Sequence, residues 1–132
     1  MKKSGLLNAQ ALRVIGAMGH TDLLVVCDAG FPCPLNVERV DLAVTGNLPT
    51  LPDVLQVMLV ELCVEKVTVA AEVREVSPER FALLEQLFAP LQLDIVTHTE
   101  LKRMSTGARA VIRTGDFTPY TNVVLQSGVP YA

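Results

Sequence analysis

The sequence predicts an α/β fold: a single layered domain over residues 1–132, with a mostly parallel central sheet flanked by helices. Three observations lead there. Leu23 to Cys27 is an unbroken apolar run of strand length, and a run without polar alternation reads as a strand buried on both faces. Strand-like segments then alternate with helix-length amphipathic ones, the pattern of layered α/β domains. No internal repeat, low-complexity stretch or linker divides the chain.

The elements follow in order. Asn8 suits the cap of a helix over Ala9 to Met18, with Leu12 and Ile15 on its apolar stripe and Gly19 as its C′ residue. The central strand Leu23–Cys27 comes next, bracketed by His20, Thr21 and Asp22 before it and by Asp28 after it. Phe31-Pro32-Cys33-Pro34 imposes an extended connection, because neither proline has an N–H. Arg39 to Thr45 alternates as a half-buried strand, and Gly46-Asn47 begins a turn. Pro52 fits the first position of a helix running to about Leu62. Lys66 to Ala71 reads as a second buried strand. Ser77-Pro78-Glu79 starts a helix with Phe81, Leu84, Leu87 and Phe88 on its apolar face. Leu93 to Thr97 is a third short strand, and Glu100 to Ser105 a short helix closed by Gly107. Two more strands, Ala110–Arg113 and Val123–Gln126, flank a polar loop from Thr114 to Asn122.

Composition narrows the function. Half of the 132 residues are hydrophobic, 5% are aromatic and none is Trp, so the core is aliphatic. Charged residues make up 19%, below the ~25% of ordinary soluble domains. That shortage fits a compact core or, as the sharper reading, a surface partly covered by other subunits, since interfaces are depleted in charge. The net charge of −3 and the lack of a basic stripe argue against nucleic acid as a partner. No apolar run approaches a membrane span, and no secretory leader follows the Met1-Lys2-Lys3 start. Cys27, Cys33 and Cys63 form no even framework and read as reduced thiols of a cytoplasmic protein.

Few residues carry chemistry. In open α/β sheets, ligands bind beyond the carboxyl ends of the strands, which is where Asp28 falls. A carboxylate directly after a buried strand needs partners; its plain alternative role is to cap the following turn. The two histidines, His20 and His98, both lie beside strand ends and can give or take protons near neutrality, unless they are simply surface residues. His20 can fold back toward Asp28 or lie at the opposite end of the strand, and the sequence leaves both open. Tyr120, Thr121 and Asn122 offer a phenol, a hydroxyl and an amide that suit a polyhydroxylated ligand, or an ordinary turn. There is no phosphate-binding glycine loop, no dinucleotide fingerprint, no zinc spacing and no nucleophile elbow.

Five segments stand out together by their order and spacing: Met1-Lys2-Lys3-Ser4-Gly5-Leu6-Leu7-Asn8, Gly19-His20-Thr21-Asp22, Cys27-Asp28-Ala29-Gly30-Phe31-Pro32-Cys33-Pro34, Ala110-Val111-Ile112-Arg113-Thr114-Gly115 and Pro119-Tyr120-Thr121-Asn122. Through them the chain resembles, over its whole length, the family of D-ribose pyranases and L-fucose mutarotases. Thr21 and Gly30 favour the ribose branch over the fucose branch. Phe31, Cys33 and Thr121 depart from residues common in that branch. The resemblance implies an enzyme that interconverts the pyranose and furanose forms of D-ribose, with no metal and no organic cofactor. It also implies a decamer of two stacked five-membered rings, with the sugar at a cleft near a subunit boundary. By the same resemblance, His20 is the proton donor, and Asp28, His98, Tyr120, Thr121 and Asn122 bind the sugar. The rival expectations are a mutarotase of another sugar, such as L-fucose, and a non-catalytic sugar-binding module of an uptake system.

Overall fold

The computed structural model describes residues 1–132. Six strands form one sheet: β1 (Leu23–Cys27), β2 (Glu38–Asp41), β3 (Val64–Ala70), β4 (Leu93–Val96), β5 (Ala110–Arg113) and β6 (Val123–Ser127), in spatial order β2-β5-β1-β6-β3-β4. The β2–β5, β5–β1 and β3–β4 pairs are parallel, and β6 is antiparallel to both of its neighbours, β1 and β3. Five strands therefore run one way and β6 alone returns. The predicted mostly parallel sheet is present, with β1 and β6 at its centre.

The helices are α1 (Ala9–Ala17), α2 (Leu51–Glu61), α3 (Ala71–Val76), α4 (Pro78–Phe88) and α5 (His98–Ser105). Alternation along the strands sends side chains to two cores. Leu24 and Val26 of β1 join Val14 of α1, Leu55 and Met58 of α2 and Leu84 of α4 in the larger one. Val25 and Cys27 face the other way and pack with Leu101 of α5, Phe31 and Val37. Leu24, Val25, Val26 and Cys27 are all fully buried, so the unbroken apolar run follows from burial on both faces.

Several local expectations need correction. The strand expected over Arg39 to Thr45 runs only from Glu38 to Asp41, because the Asp41 carboxylate turns back to accept the Ala43 N–H at 3.0 Å. Val44 is consequently exposed rather than paired into the sheet. Gly19 is not left-handed; Thr21 takes positive φ, at 71°, instead. Thr50 caps α2 through a capping box with Asp53, so the helix begins at Leu51, one residue before Pro52. Helix α3 follows β3 without a break, and no breaker residue announces it. Helix α5 starts at His98, not Glu100, because the Thr97 hydroxyl accepts the Glu100 N–H at 3.1 Å. Ser77 precedes α4 but makes no side-chain capping bond. Asn8 does cap α1, accepting the Ala11 N–H at 2.9 Å.

The loop after β5 is fixed by close backbone approach. Gly115 donates to Pro49 O at 2.9 Å and accepts from Asn47 N at 2.6 Å. A Cβ on Gly115 would meet the carbonyl oxygens of Thr45 and Leu48, the latter at 2.7 Å. Backbone atoms cannot swing aside as a side-chain end can. Gly115→Ala is therefore expected to destabilise the protein by about 1–3 kcal/mol, the usual cost of overpacking, as read from the midpoint of a urea transition.

Candidate active site

The topology builds the site. Strand β5 lies on one side of β1 and β6 on the other, so the 114–122 loop that joins them must pass over the carboxyl end of β1. It is stitched there at successive residues. Thr114 N and Oγ1 donate to Cys27 O at 3.0 and 2.8 Å. Asn122 Oδ1 accepts the Asp28 N–H at 2.8 Å, and Asp116 O accepts the Ala29 N–H at 2.9 Å. Asp28 and the Tyr120–Asn122 turn are thereby brought together.

His98 reaches the same place from β4 and α5. Its backbone N–H donates to both oxygens of Glu72 on α3, at 2.9 and 3.1 Å. Its ring stands edge-on to Phe31, with centroids 6.0 Å apart, and to Tyr120, at 5.0 Å. Asp28, Phe31, His98, Lys102 and Tyr120 line a hollow of about 300 Å³. On the other side of Asp28, Arg113, Asp116, Phe117 and Thr118 line a second hollow of about 490 Å³. Both volumes lie within the range of small-molecule clefts.

The electrostatics of the first hollow suit neutral hydroxyl groups. Burial pushes the Asp28 carboxyl up, against the Gly30 N–H that Oδ1 accepts at 3.1 Å. Burial pushes the His98 imidazole down, and the Lys102 ammonium adds to that effect. A neutral imidazole offers one donor and one acceptor. Two buried polar atoms, His98 Nδ1 and Asn122 Nδ2, have no hydrogen-bond partner in the chain. Because the Asp28 N–H requires the carbonyl oxygen of the Asn122 amide, the free group is the NH₂ donor. A buried polar group without a partner is costly and calls for an acceptor from outside.

Thr121 and His20 lie elsewhere. The Thr121 side chain is buried and faces Arg80 Nη1 at 3.5 Å, so its hydroxyl points away from the hollow, into the structure beneath. His20 stands at the amino end of β1, with Nε2 2.9 Å from Glu65 Oε2. The five residues of β1 span roughly 17 Å, so His20 and Asp28 of one chain belong to opposite ends of the sheet. Asp28, His98, Tyr120 and Asn122 converge; His20 does not join them within the chain. No three His, Cys, Asp or Glu side chains converge as metal ligands, and no helix is long and apolar enough to cross a membrane.

Sequence reasoning missed Asp116 and Arg80. Asp116 is fully buried and accepts four hydrogen bonds or contacts in all through its two carboxylate oxygens and its backbone carbonyl. Oδ2 takes Leu51 N at 2.8 Å and Arg80 Nη1 at 2.6 Å, and Oδ1 takes Thr118 N at 2.8 Å. These bonds tie the start of α2, helix α4 and the loop into one unit. Nothing in the sequence pairs Arg80 with Asp116; the only signal was the polar density of the loop.

A family model described as the RbsD / FucU transport protein family matches residues 1–130. The chain belongs to that family. Among its relatives, a D-ribose pyranase of Coprothermobacter proteolyticus is 46% identical over 131 residues, covering 99% of this chain and all of the relative. The D-ribose pyranase of Bacillus subtilis strain 168 is 43% identical, with 98% of each chain covered. The structure of Bacillus subtilis RbsD complexed with D-ribose superposes with a TM-score of 0.95 at 42% identity, covering 99% of this chain and all of that one. A fucose mutarotase of Streptococcus pneumoniae, solved with L-fucose, shares the RbsD/FucU fold at a TM-score of 0.74 and 19% identity, with 94% of each chain covered.

Burial opposes ionisation of Asp116, but the N–H groups of Leu51 and Thr118 and the Arg80 guanidinium outweigh it and hold the carboxyl below the usual carboxylate range. Its contribution to stability is therefore complete above the ordinary aspartate value near ~3.9 and is lost as pH falls through the lower folded-state value. Asp116→Asn leaves Arg80 without its counter-ion and is expected to cost about 3–5 kcal/mol at neutral pH. The gap from the unsubstituted protein should narrow on acidification when both are unfolded in urea.

Proposed function

We propose that this chain is a D-ribose pyranase. It interconverts β-D-ribopyranose and β-D-ribofuranose by opening and reclosing the sugar ring, needs no metal or organic cofactor, and feeds ribose catabolism in the cytoplasm. The observation that carries this reading is the full-length match to the ribose-complexed RbsD, on a chain whose cleft is lined by Asp28 and by His98, whose buried Nδ1 has no partner in the chain.

The chemistry needs little machinery. The ring oxygen of the pyranose gains a proton as its bond to the anomeric carbon breaks, and the anomeric hydroxyl loses one, leaving the open-chain aldehyde. Attack by a different hydroxyl on that carbon, with the same two proton movements reversed, closes the furanose. In this reading Asp28, His98, the Tyr120 phenol and the Asn122 amide hold the hydroxyl groups. Thr121 contributes through its backbone, since its hydroxyl faces Arg80. The half-buried Asp28 carboxyl, pushed up by desolvation, is a better proton acceptor than a fully exposed one. His20 supplies the proton to the ring oxygen.

His20 can do so only from another copy of the chain, because its own Asp28 lies at the far end of β1. A head-to-tail contact of this kind closes into a ring when the rotation between neighbours brings the last copy back to the first. Apolar side chains are exposed toward both ends: Val44, Leu48 and Phe117 near the cleft, and Leu7 and Val60 close to the start of β3. We read the assembly as the decamer of two stacked pentamers that the resemblance implies.

Saturation-transfer NMR on equilibrated ribose tests the activity. The protein is expected to speed exchange between pyranose and furanose signals, and His20→Ala to bind ribose yet lose about 10²–10⁴-fold of that rate, the share of general acid–base catalysis. Ribose binding without faster exchange would make the protein a sugar-binding module, and faster exchange with L-fucose alone would move it to the other branch. Subunit sharing has its own test. Rings co-assembled from His20→Ala and Asp28→Asn chains should be more active than either variant alone, because some boundaries then carry an intact His20 facing an intact Asp28. A verified mixed oligomer with no gain in activity would refute a shared site.

A further inference from the structure

The end of the sheet that holds His20 is more ordered than an exposed histidine requires. Gly19 to Asp22 form a tight turn closed twice, with Asp22 N donating to Gly19 O at 3.2 Å and Gly19 N to Asp22 Oδ2 at 2.8 Å. Thr21 sits in the left-handed region at φ 71°, which is rare for a β-branched residue, and donates to Ser127 O at 2.9 Å. The His20 backbone is thus fixed, while its side chain remains 53% exposed.

The ring is held from β3. Its Nε2 lies 2.9 Å from Glu65 Oε2, and the second oxygen of Glu65 accepts Gln126 Nε2 at 2.8 Å. Gln126 lies on β6, paired in register with Lys66, the residue after Glu65. The carboxylate is therefore gripped at both oxygens by neighbours on two different elements. Gln126 and His20 together keep it in its charged, acceptor form.

We propose that Glu65 is a positioning residue for His20: it holds the Nε2–H and leaves Nδ1 as the nitrogen that exchanges a proton with the sugar. The proposal rests on the acid role given to His20 above. A carboxylate can only accept, so the neutral ring beside it keeps its proton on Nε2. The proton that departs to the ring oxygen, and is later restored, is then the one on Nδ1. A half-exposed histidine without this contact would spread over rotamers and both tautomers, and most of those arrangements would not be aligned with a sugar held by a neighbouring copy. The same division of labour, with one ring nitrogen fixed by a carboxylate and the other reactive, operates in hydrolase triads.

Glu65→Ala removes the acceptor. Glu65→Gln keeps one, because Gln126 makes no other side-chain hydrogen bond and can turn its amide over to accept from the new NH₂ group. With ¹⁵N-labelled histidine, the neutral His20 ring of the assembled protein should appear as the Nε2–H tautomer in the unsubstituted chain and in Glu65→Gln, and as a mixture in Glu65→Ala. Ribose exchange at saturating sugar should fall about tenfold in Glu65→Ala, part of the ~10²–10⁴ available to acid–base catalysis, with ribose affinity unchanged and most of the rate retained in Glu65→Gln. An unchanged tautomer together with an unchanged saturating rate in Glu65→Ala would overturn the proposal. If His20→Ala itself keeps full exchange, the acid role fails instead, and the nitrogen spectra still show separately whether Glu65 selects the tautomer.

Discussion

The return of β6 across β1 is the constraint on which the rest of the structure depends. A sheet of five parallel strands with one antiparallel strand between β1 and β3 leaves the chain no route from β5 to β6 except over the end of β1. The crossing segment must satisfy its own backbone groups and those of β1 that no further strand pairs. It does so with side chains: Thr114 donates to Cys27 O, and Asn122 accepts from Asp28 N. Asp116 then anchors the segment to α2 and α4 from inside. The hollow beside Asp28 is what remains between this crossing and α5.

The same constraint separates the candidate site residues into two groups. Parallel strands place Asp28, His98, Tyr120 and Asn122 at one end of the sheet, as open α/β sheets place ligand sites in general. His20, before β1, and Glu65, at the start of β3, fall at the other end. Within one chain, the cluster around Asp28 and the His20–Glu65 pair never meet. The shortage of surface charge and the apolar side chains exposed toward both ends have a common cause if each end is covered by the next copy.

How much of this was legible in the sequence varied with the physical signal. The strands at 23–27 and 110–113 were read to the residue, because burial on both faces leaves no polar position inside them: 23–27 is apolar throughout, and in 110–113 only the final Arg113 is polar. Asp28 was legible for the same reason, as the first polar residue after such a run. The side taken by His20 was not legible. Gly19 to Asp22 is a turn, and a turn has no periodicity from which to infer direction. Helix α3 was missed because Ala71 to Val76 continues from β3 without a glycine, proline or capping side chain. The start of α5 was misplaced because Thr97 reads equally well as the last residue of a strand and as a helix cap. The Arg80–Asp116 pair could not be seen at all: its partners lie 36 residues apart on different elements, and neither residue type signals burial.

Where local rules are broken, they are broken at the two halves of the site. Thr21, beside His20, and Tyr120, beside Asn122, are two of the three non-glycine residues with positive φ; the third is Asn47, a residue type that tolerates that region. Such positions cost of order 1–3 kcal/mol each and persist only when their surroundings over-determine them. Around Thr21 that surrounding is the doubly closed turn, and around Tyr120 it is the stitched loop. The two unpartnered buried polar atoms, on His98 and Asn122, lie in the same region. Backbone strain at both ends of β1, and unsatisfied polar atoms at its carboxyl end, fit the proposed site for a hydroxyl-rich ligand: a sugar bound there would supply the missing partners, and the rigid turns would hold the protein groups still.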